Sequence, residues 1–189
     1  MSASPSPPHD PDLSAIAARI TRPVVLVGLM GVGKSTVGRK LANLLQRDFI
    51  DADDAIVEAA QRSIPEIFET FGEAYFRDGE RRVIARLMNE AHGVIATGGG
   101  AFVDPATRAI ILERGIAVWI DCDTDTLVER TARRGNRPLL KNGDPREILT
   151  RLAQERAPFY AQAHIRVVSE NGPHAKTART IIEGIEQWL

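Results

Sequence analysis

A glycine-rich segment, GLMGVGKST, runs from Gly28 to Thr36 and directly follows the apolar residues VVLV. It matches the pattern G-x-x-x-x-G-K-[ST], and it stands where that pattern requires, between a predicted strand and a predicted helix. Glycine lets the backbone approach an anion closely, and the start of the following helix adds partial positive charge. The segment therefore predicts binding of the phosphates of a nucleoside triphosphate.

Each residue of this loop has an expected part in that binding. Lys34 can reach the β- and γ-phosphates, and the Ser35 hydroxyl can ligate Mg²⁺. The loop alone does not distinguish a switch, a motor and a kinase. The residues expected to bind the nucleotide here are Gly31, Val32, Gly33, Lys34, Ser35 and Thr36.

Two aspartates follow the next predicted helix, in the segment FIDADD. Residues i and i+2 of an extended chain point to the same side, so we expect Asp51 and Asp53 together at the carboxyl edge of the sheet. One carboxylate could support Mg²⁺ while the other receives a proton from an acceptor hydroxyl. A simpler alternative is that Asp53 or Asp54 only caps the helix that follows.

A run of three glycines ends the third predicted strand, in VIATGGGAF. Gly98, Gly99 and Gly100 offer backbone donors and carry no side chains that would obstruct a bound molecule. The alternative is a tight turn, for which one or two glycines would normally suffice. Arg77, in AYFRDGERR, lies on the helix before this strand, where an arginine by itself is usually only solvated.

Two further arginines come later in the chain. Arg137 lies in RRGNRPLLKNGDP, residues 133–145, whose glycines and prolines disfavour helix and strand and predict a mobile loop or lid. The alternative is a plain solvated connection. Arg156 lies in QERAPFY, near the end of a predicted helix.

Short apolar runs alternate along the chain with longer stretches of helical period, which predicts a parallel sheet covered by helices on both faces, an α/β fold. The predicted strands are Val24–Val27, Asp48–Ile50, Val94–Ala96, Ala117–Ile120 and Ile165–Val168. The predicted helices are Lys34–Leu45, Asp53–Ala60, Ile64–Phe71, Glu73–Glu90, Asp104–Glu113, Thr124–Ala132, Pro145–Phe159 and Ala175–Trp188.

Composition bounds the class of protein. The 189 residues are 43% hydrophobic and 26% charged, as expected of one soluble globular domain. A net charge of −1 gives no general attraction to nucleic acid or anionic membranes, so we expect neither as a partner. The single Cys122 fits a reducing compartment, and we expect a cytoplasmic monomer. The Ser/Pro-rich start predicts a disordered tail, followed by a short helix around Leu13 to Ile20.

The chain from about Pro23 to Leu189 resembles the shikimate kinases. The resemblance is carried by motifs in the order and approximate spacing typical of that family: GLMGVGKST, DADD, FRDGE, GGGA, RPLL and ERAPFY. It implies a three-layer P-loop kinase fold with a five-stranded parallel sheet in the order 2-3-1-4-5. It also implies transfer of the ATP γ-phosphoryl group to the 3-hydroxyl of shikimate, a step in chorismate and aromatic amino-acid biosynthesis. Residues 1–22 have no counterpart in the family's core.

The resemblance also implies roles for individual residues at the reacting groups. Asp51 supports the Mg²⁺ shell together with Ser35. Asp53 contacts the accepting hydroxyl and is the candidate base. Lys34, Mg²⁺ and Arg137 can supply the charge stabilisation that phosphoryl transfer demands. Arg137 comes from the lid to bridge phosphate and substrate.

The resemblance implies that the remaining site residues bind either shikimate or the adenine of ATP. Arg77 and Arg156 bind the shikimate carboxylate. Arg130, in LVERTARR, packs on one face of adenine, and the loop before Pro173 flanks the other. The residues implied to line the shikimate pocket are Asp53, Arg77, Gly98, Gly99, Gly100 and Arg156.

Other functions would use some of the same motifs. A gluconate kinase would also want the phosphate loop, an acidic pair and a carboxylate-binding arginine, but the glycine triplet with FRDGE favours shikimate. Paired aspartates would repel the acceptor phosphate of a nucleoside monophosphate kinase. A GTP switch would carry an N-K-x-D motif, which the sequence lacks. A degenerate, non-catalytic binding module would be expected to have lost Lys34, Asp53 or an arginine.

Overall fold

The structure is a computed structural model and describes residues 12–90, 93–133, 140 and 142–189. Within them lie five strands and nine helices. The strands are β1 (Val24–Val27), β2 (Phe49–Asp51), β3 (Val94–Ala96), β4 (Ile116–Asp121) and β5 (Ile165–Val168). The helices are α1 (Leu13–Arg19), α2 (Lys34–Leu44), α3 (Ala52–Ala60), α4 (Ile64–Phe71), α5 (Glu73–Glu90), α6 (Pro105–Arg114), α7 (Thr124–Ala132), α8 (Pro145–Tyr160) and α9 (His174–Trp188).

The strands form one parallel sheet in the order β2-β3-β1-β4-β5, which confirms the predicted α/β fold and strand order. Every residue of β1 and β3 is buried. Since neighbouring residues of a strand point to opposite faces, this burial requires that helices cover the sheet on both sides. β5, at one edge, alternates between buried and exposed residues.

Polar side chains fix where several helices begin, because they accept hydrogen bonds from backbone amides that have no partner within the helix. Four aspartates do so at α1, α6, α7 and α8: Asp12, Asp104, Asp123 and Asp144. At α4, Ser63 and Glu66 form a reciprocal capping box. These caps stand at the turns that the sequence places between apolar segments.

A small second cluster of buried side chains stands apart from the main core. Ile56, Ile67 and Phe76 pack together, with Ile64 and Val83 against them. The cluster joins α3, α4 and α5, which follow β2 and precede β3. It therefore fixes α5, and with it the arginine beside Phe76, over the carboxyl edge of the sheet.

The short helix predicted before Pro23 is present as α1. Its Ile16 and the following Ile20 are each 2% exposed and belong to the main core. The Arg47 guanidinium donates to the carbonyl oxygens of Ala17 and Ile20 at 2.7 and 2.9 Å. This helix is thus packed on the domain that starts near Pro23, while residues 1–11 lie outside the described residues. The division of the chain at residue 22 stays a prediction.

We expect two truncations to show that residues 1–11 and the helix α1 differ in their contribution to stability. A chain lacking residues 1–11 should keep its activity and melting temperature. A chain lacking residues 1–22 should melt on the order of 10 °C lower, because burial of each isoleucine contributes about 1.5–3 kcal/mol. Thermal denaturation of both variants tests this, and equal melting temperatures would show that α1 adds no stability.

Within the described part of the chain, none of the helices combines the length and the apolar character needed to cross a membrane.

Candidate active site

The glycine-rich loop connects the end of β1 to the start of α2. Gly33 is the N-cap of α2 with φ at 94°, in the left-handed region where a side chain is disfavoured. Lys34 is buried, and its ammonium donates to the carbonyl oxygens of Gly28 and Leu29 at 2.7 and 3.0 Å. Its positive charge therefore lies inside the loop, beside the helix N-terminus, where both can attract a phosphate.

A cavity of about 330 Å³ opens above this loop. It is bounded by the loop itself, by the carboxyl ends of β2 and β3, and by the segment before α9. Among the site residues expected from the sequence, those lining it are Gly31, Gly33, Lys34, Ser35, Thr36, Asp51, Asp53, Gly98, Gly99 and Arg130. The structure thus brings the phosphate loop, the aspartate pair and the first two glycines of the triplet to one place.

The predicted metal ligands are in direct contact. The Ser35 hydroxyl donates to Asp51 Oδ2 at 2.6 Å, which joins the first turn of α2 to the end of β2. The other oxygen, Asp51 Oδ1, accepts from the backbone amide of Asp53 at 3.0 Å, so Asp51 is also the N-cap of α3. A hydroxyl and a carboxylate at this distance are oxygen donors of the kind that Mg²⁺ prefers.

Asp53 reaches the cavity from the start of α3, the helix predicted as Asp53–Ala60, and not from an extended strand. The expectation that it follows Asp51 along an extended strand is wrong, because Asp53 lies in the first turn of α3. The alternative that Asp53 or Asp54 caps this helix is also wrong, since Asp51 does so. Burial raises the pKa of the Asp53 carboxyl above its ordinary value, and the charge of Asp51 raises it further, against the opposing effect of Lys34.

The glycine triplet makes room for charged side chains. A β-carbon on Gly98 would lie 2.9 Å from Asp53 Oδ1. A β-carbon on Gly100 would overlap the guanidinium of Arg77. The space beside the loop is thus already filled by the functional groups themselves, which explains why glycine recurs beyond the needs of a turn.

Arg77 is held by acidic partners on its own helix. Its guanidinium lies 2.7 Å from Glu80 Oε1 and 3.5 Å from Glu73 Oε1. Glu80 is only 1% exposed, and burial raises the pKa of its carboxyl while the charge of Arg77 opposes this. A buried carboxylate paired in this way fixes the arginine firmly in place.

Arg156 is placed differently. It is half-buried on α8, and a β-carbon on Gly99 would lie 3.5 Å from one of its guanidinium nitrogens. Over the ranges that the structure describes, no carboxylate forms an ion pair with it. Among the described residues the guanidinium therefore lies beside the triplet with no paired acid to offset its charge, which favours binding of an anion.

Arg130 joins the elements at the other end of the cavity. Its guanidinium donates to the carbonyl oxygens of Val32 at 2.9 Å and of Glu170 at 3.2 Å. Val32 itself is buried, and it meets the site through this carbonyl group. Pro173 is the exposed N-cap of α9 and follows the loop that Arg130 holds. The residues expected to flank a base are thus near one another.

Arg137 lies outside the described residues, as does most of the segment predicted as a lid. Of that segment, Arg133 is the C-cap of α7 and Pro145 is the first residue of α8.

Sequence reasoning missed side chains that position the expected ones. Glu80 was part of the motif FRDGE but had no role, although its spacing of three residues from Arg77 is that of neighbours on a helix surface. Tyr160 stands four residues after Arg156, at the same kind of spacing. His174 lines the cavity at the start of α9, and no sequence signal singled it out.

Comparison with known proteins agrees with this geometry. The family model for shikimate kinase matches residues 30–186. The chain is 65% identical over 182 residues to the shikimate kinase of Novosphingobium aromaticivorans, covering 94% of each chain. The solved shikimate kinase from Acinetobacter baumannii, in complex with shikimate, is 38% identical, with a TM-score of 0.85 over 91% of this chain and 97% of that one.

A gluconokinase from Sinorhizobium meliloti aligns with a TM-score of 0.61 at 18% identity, over 89% of this chain and 94% of that one, which shows a shared fold alone. The rival kinase class thus has the same architecture without close sequence similarity. With the family model covering most of the chain, and the phosphate loop, the aspartate pair and two glycines of the triplet lining one cavity, the chain belongs to the shikimate kinase family.

Proposed function

We propose that this chain transfers the γ-phosphoryl group of ATP to the 3-hydroxyl of shikimate, giving shikimate 3-phosphate and ADP, a step of chorismate and aromatic amino-acid biosynthesis. The observation that carries the proposal is the convergence of Asp53, Arg77 and Arg156 on the glycine triplet, next to the phosphate loop. A carboxylate and two arginines suit a small anion that offers a hydroxyl group.

The nucleotide would bind along the phosphate loop. Lys34 and the N-terminus of α2 supply positive charge for the β- and γ-phosphates. Arg130 and the loop before Pro173 would hold the adenine between them. A base sandwiched in this way fixes the direction in which the phosphates point.

Ser35 and Asp51 fit the requirements of a magnesium site, because their oxygens already approach to 2.6 Å. We propose that they hold Mg²⁺ together with phosphate oxygens. The ion, when bound, would neutralise charge on the β- and γ-phosphates.

Asp53 is the proposed base. The 3-hydroxyl oxygen forms a bond to the γ-phosphorus. At the same time the bond between the γ-phosphorus and the β,γ-bridging oxygen breaks, and ADP leaves with that oxygen. The hydroxyl proton passes to the Asp53 carboxylate. A raised pKa brings the carboxylate closer to the pH at which it is an effective base.

The acceptor is recognised through its carboxylate. Arg77 and Arg156 are proposed to bind it, and charge-assisted hydrogen bonds contribute about 1.5–3 kcal/mol each. Gly98, Gly99 and Gly100 would line the ring of the acceptor. Arg137 is proposed to bridge the phosphate and the acceptor.

The monomeric state and the cytoplasmic location of the protein stay predictions.

Formation of ADP from ATP·Mg²⁺, with shikimate, gluconate, AMP or no acceptor, tests the proposed function. We expect turnover when shikimate is the acceptor and none under the other three conditions. Chelation of Mg²⁺ should abolish the turnover with shikimate. Faster turnover with gluconate would keep the fold and the phosphate loop but overturn the assignment of the acceptor pocket. No turnover with any acceptor would favour a binding module without catalysis.

The raised pKa of Asp53 has a consequence for the pH profile. The base acts only when deprotonated, so kcat/KM for shikimate should fall as the pH drops through this pKa. The fall should begin at a higher pH than for an ordinary aspartate, whose pKa is about 3.9.

The charge of the neighbouring Asp54 also raises this pKa. Asp54→Asn should therefore move the acidic limb of the profile to lower pH and leave the rate at neutral pH unchanged. An acidic limb that does not move would show that Asp53 does not govern it.

A further inference from the structure

Tyr160 is the last residue of α8, and its side chain is buried beside the acceptor pocket. It is 2% exposed, and its ring packs against Trp119 with the centroids 5.9 Å apart. Its hydroxyl donates to the carbonyl oxygen of Gly99 at 2.5 Å. This contact ties the middle residue of the glycine triplet to the end of α8.

Arg156 is a neighbour of this tyrosine. The two residues are four apart on α8, so their side chains are neighbours on one face of the helix. Burial raises the pKa of the Tyr160 phenol, and the charge of the nearby Arg156 opposes this rise. Both side chains lie against Gly99: the Tyr160 hydroxyl donates to its carbonyl oxygen, and a β-carbon on Gly99 would lie 3.5 Å from an Arg156 guanidinium nitrogen.

The partner of Arg156 differs in charge from the partners of Arg77. Arg77 pairs with carboxylates, and part of its positive charge is neutralised by Glu80 and Glu73. A neutral hydroxyl can hold the guanidinium in place without that neutralisation. Arg156 would then be fixed in place without an acidic partner that offsets its charge, which favours binding of an anion.

We propose that Tyr160 is a positioning residue for acceptor binding: it holds Arg156 and Gly99 in the places from which they bind the acceptor carboxylate and line the acceptor ring. The inference rests on the proposed function, because it assigns the carboxylate of the acceptor to Arg156. It adds a residue that acts through Arg156 and makes no contact with the acceptor.

Tyr160→Phe tests this with a small change, since the ring and its packing on Trp119 are kept. We expect the KM for shikimate to rise about tenfold, the size expected when one hydrogen bond that holds the site is lost. The KM for ATP and kcat should stay within about twofold of the wild-type values. Tyr75→Phe is the matched control, because Tyr75 is 52% exposed, and it should change neither KM.

A double-mutant cycle separates positioning from general loosening of the fold. In an Arg156→Ala background, Tyr160→Phe should produce no further rise in the KM for shikimate. A second tenfold rise in that background would overturn the proposal, as would equal effects on the KM values for both substrates.

The ratio of the affinities for two ligands, measured on the same variant, does not depend on how much of that variant is folded. It therefore tests the proposal even if Tyr160→Phe lowers stability. The wild type should bind shikimate more tightly than the corresponding carboxamide, and this preference should shrink about tenfold in Tyr160→Phe. An unchanged preference would reject the inference. A wild-type chain without turnover on shikimate would reject the proposed function instead, so the two failures are distinguishable.

Discussion

Asp53→Asn is expected to lower kcat for shikimate phosphorylation by about 10²–10⁴-fold, the usual loss when a positioned base is removed. Asparagine keeps the shape of the side chain but cannot take up the hydroxyl proton. The side chain lies beside Gly98 rather than inside the phosphate loop, so the affinity for ATP should hardly change. Steady-state kinetics combined with a separate measurement of ATP binding would check both expectations.

The neighbouring Asp54 provides the control, since it is exposed and one residue away on the same helix. At neutral pH Asp54→Asn should turn over as fast as the wild type. If Asp53→Asn kept near-normal turnover, Asp53 would have no part in proton transfer. The rate would then depend on alignment and charge alone.

Arg156→Ala is expected to raise the KM for shikimate by on the order of 10–100-fold, because one or more charge-assisted hydrogen bonds to the carboxylate are lost. The KM for ATP should change little. The contact involves a part of the acceptor that takes no part in bond making, so the effect should be on binding more than on kcat. Initial rates with each substrate varied in turn would give the two constants.

Arg151→Ala is the control on the same helix. Arg151 is exposed, and its guanidinium lies 3.8 Å from Glu155, a surface pair of the kind that contributes little. Its removal should leave both KM values unchanged. A rise in both constants for Arg156→Ala would reject the role of that residue as a carboxylate anchor.

Much of the architecture could be predicted from local patterns. The continuous apolar runs at Val24–Val27 and Val94–Ala96 can only be buried on both faces, and the structure has them as β1 and β3. The phosphate loop is equally local, because its glycines and Lys34 are contiguous in the chain. The predicted helix boundaries differ from those of the structure by at most a residue, and caps such as Asp104 explain where the helices start.

The site was less predictable where distant segments meet. Nothing in the sequence says that Asp51 caps α3 and so turns the chain before Asp53. Nor does the sequence show that Tyr160 reaches Gly99, 61 positions away in the chain. The glycine triplet shows the same limit. Glycine is needed at Gly98 and Gly100 because Asp53 and Arg77, which come from other helices, occupy the space of a β-carbon.

The edge strand β5 bears on how copies of this protein would meet. An exposed strand edge invites pairing with another chain and hence aggregation, and charged side chains and short strands oppose it. β5 is four residues long and carries Arg166, whose guanidinium lies 2.6 Å from Asp121 and over the Trp119 ring. At the opposite edge, β2 has three residues. Both edges therefore disfavour strand-to-strand association between copies.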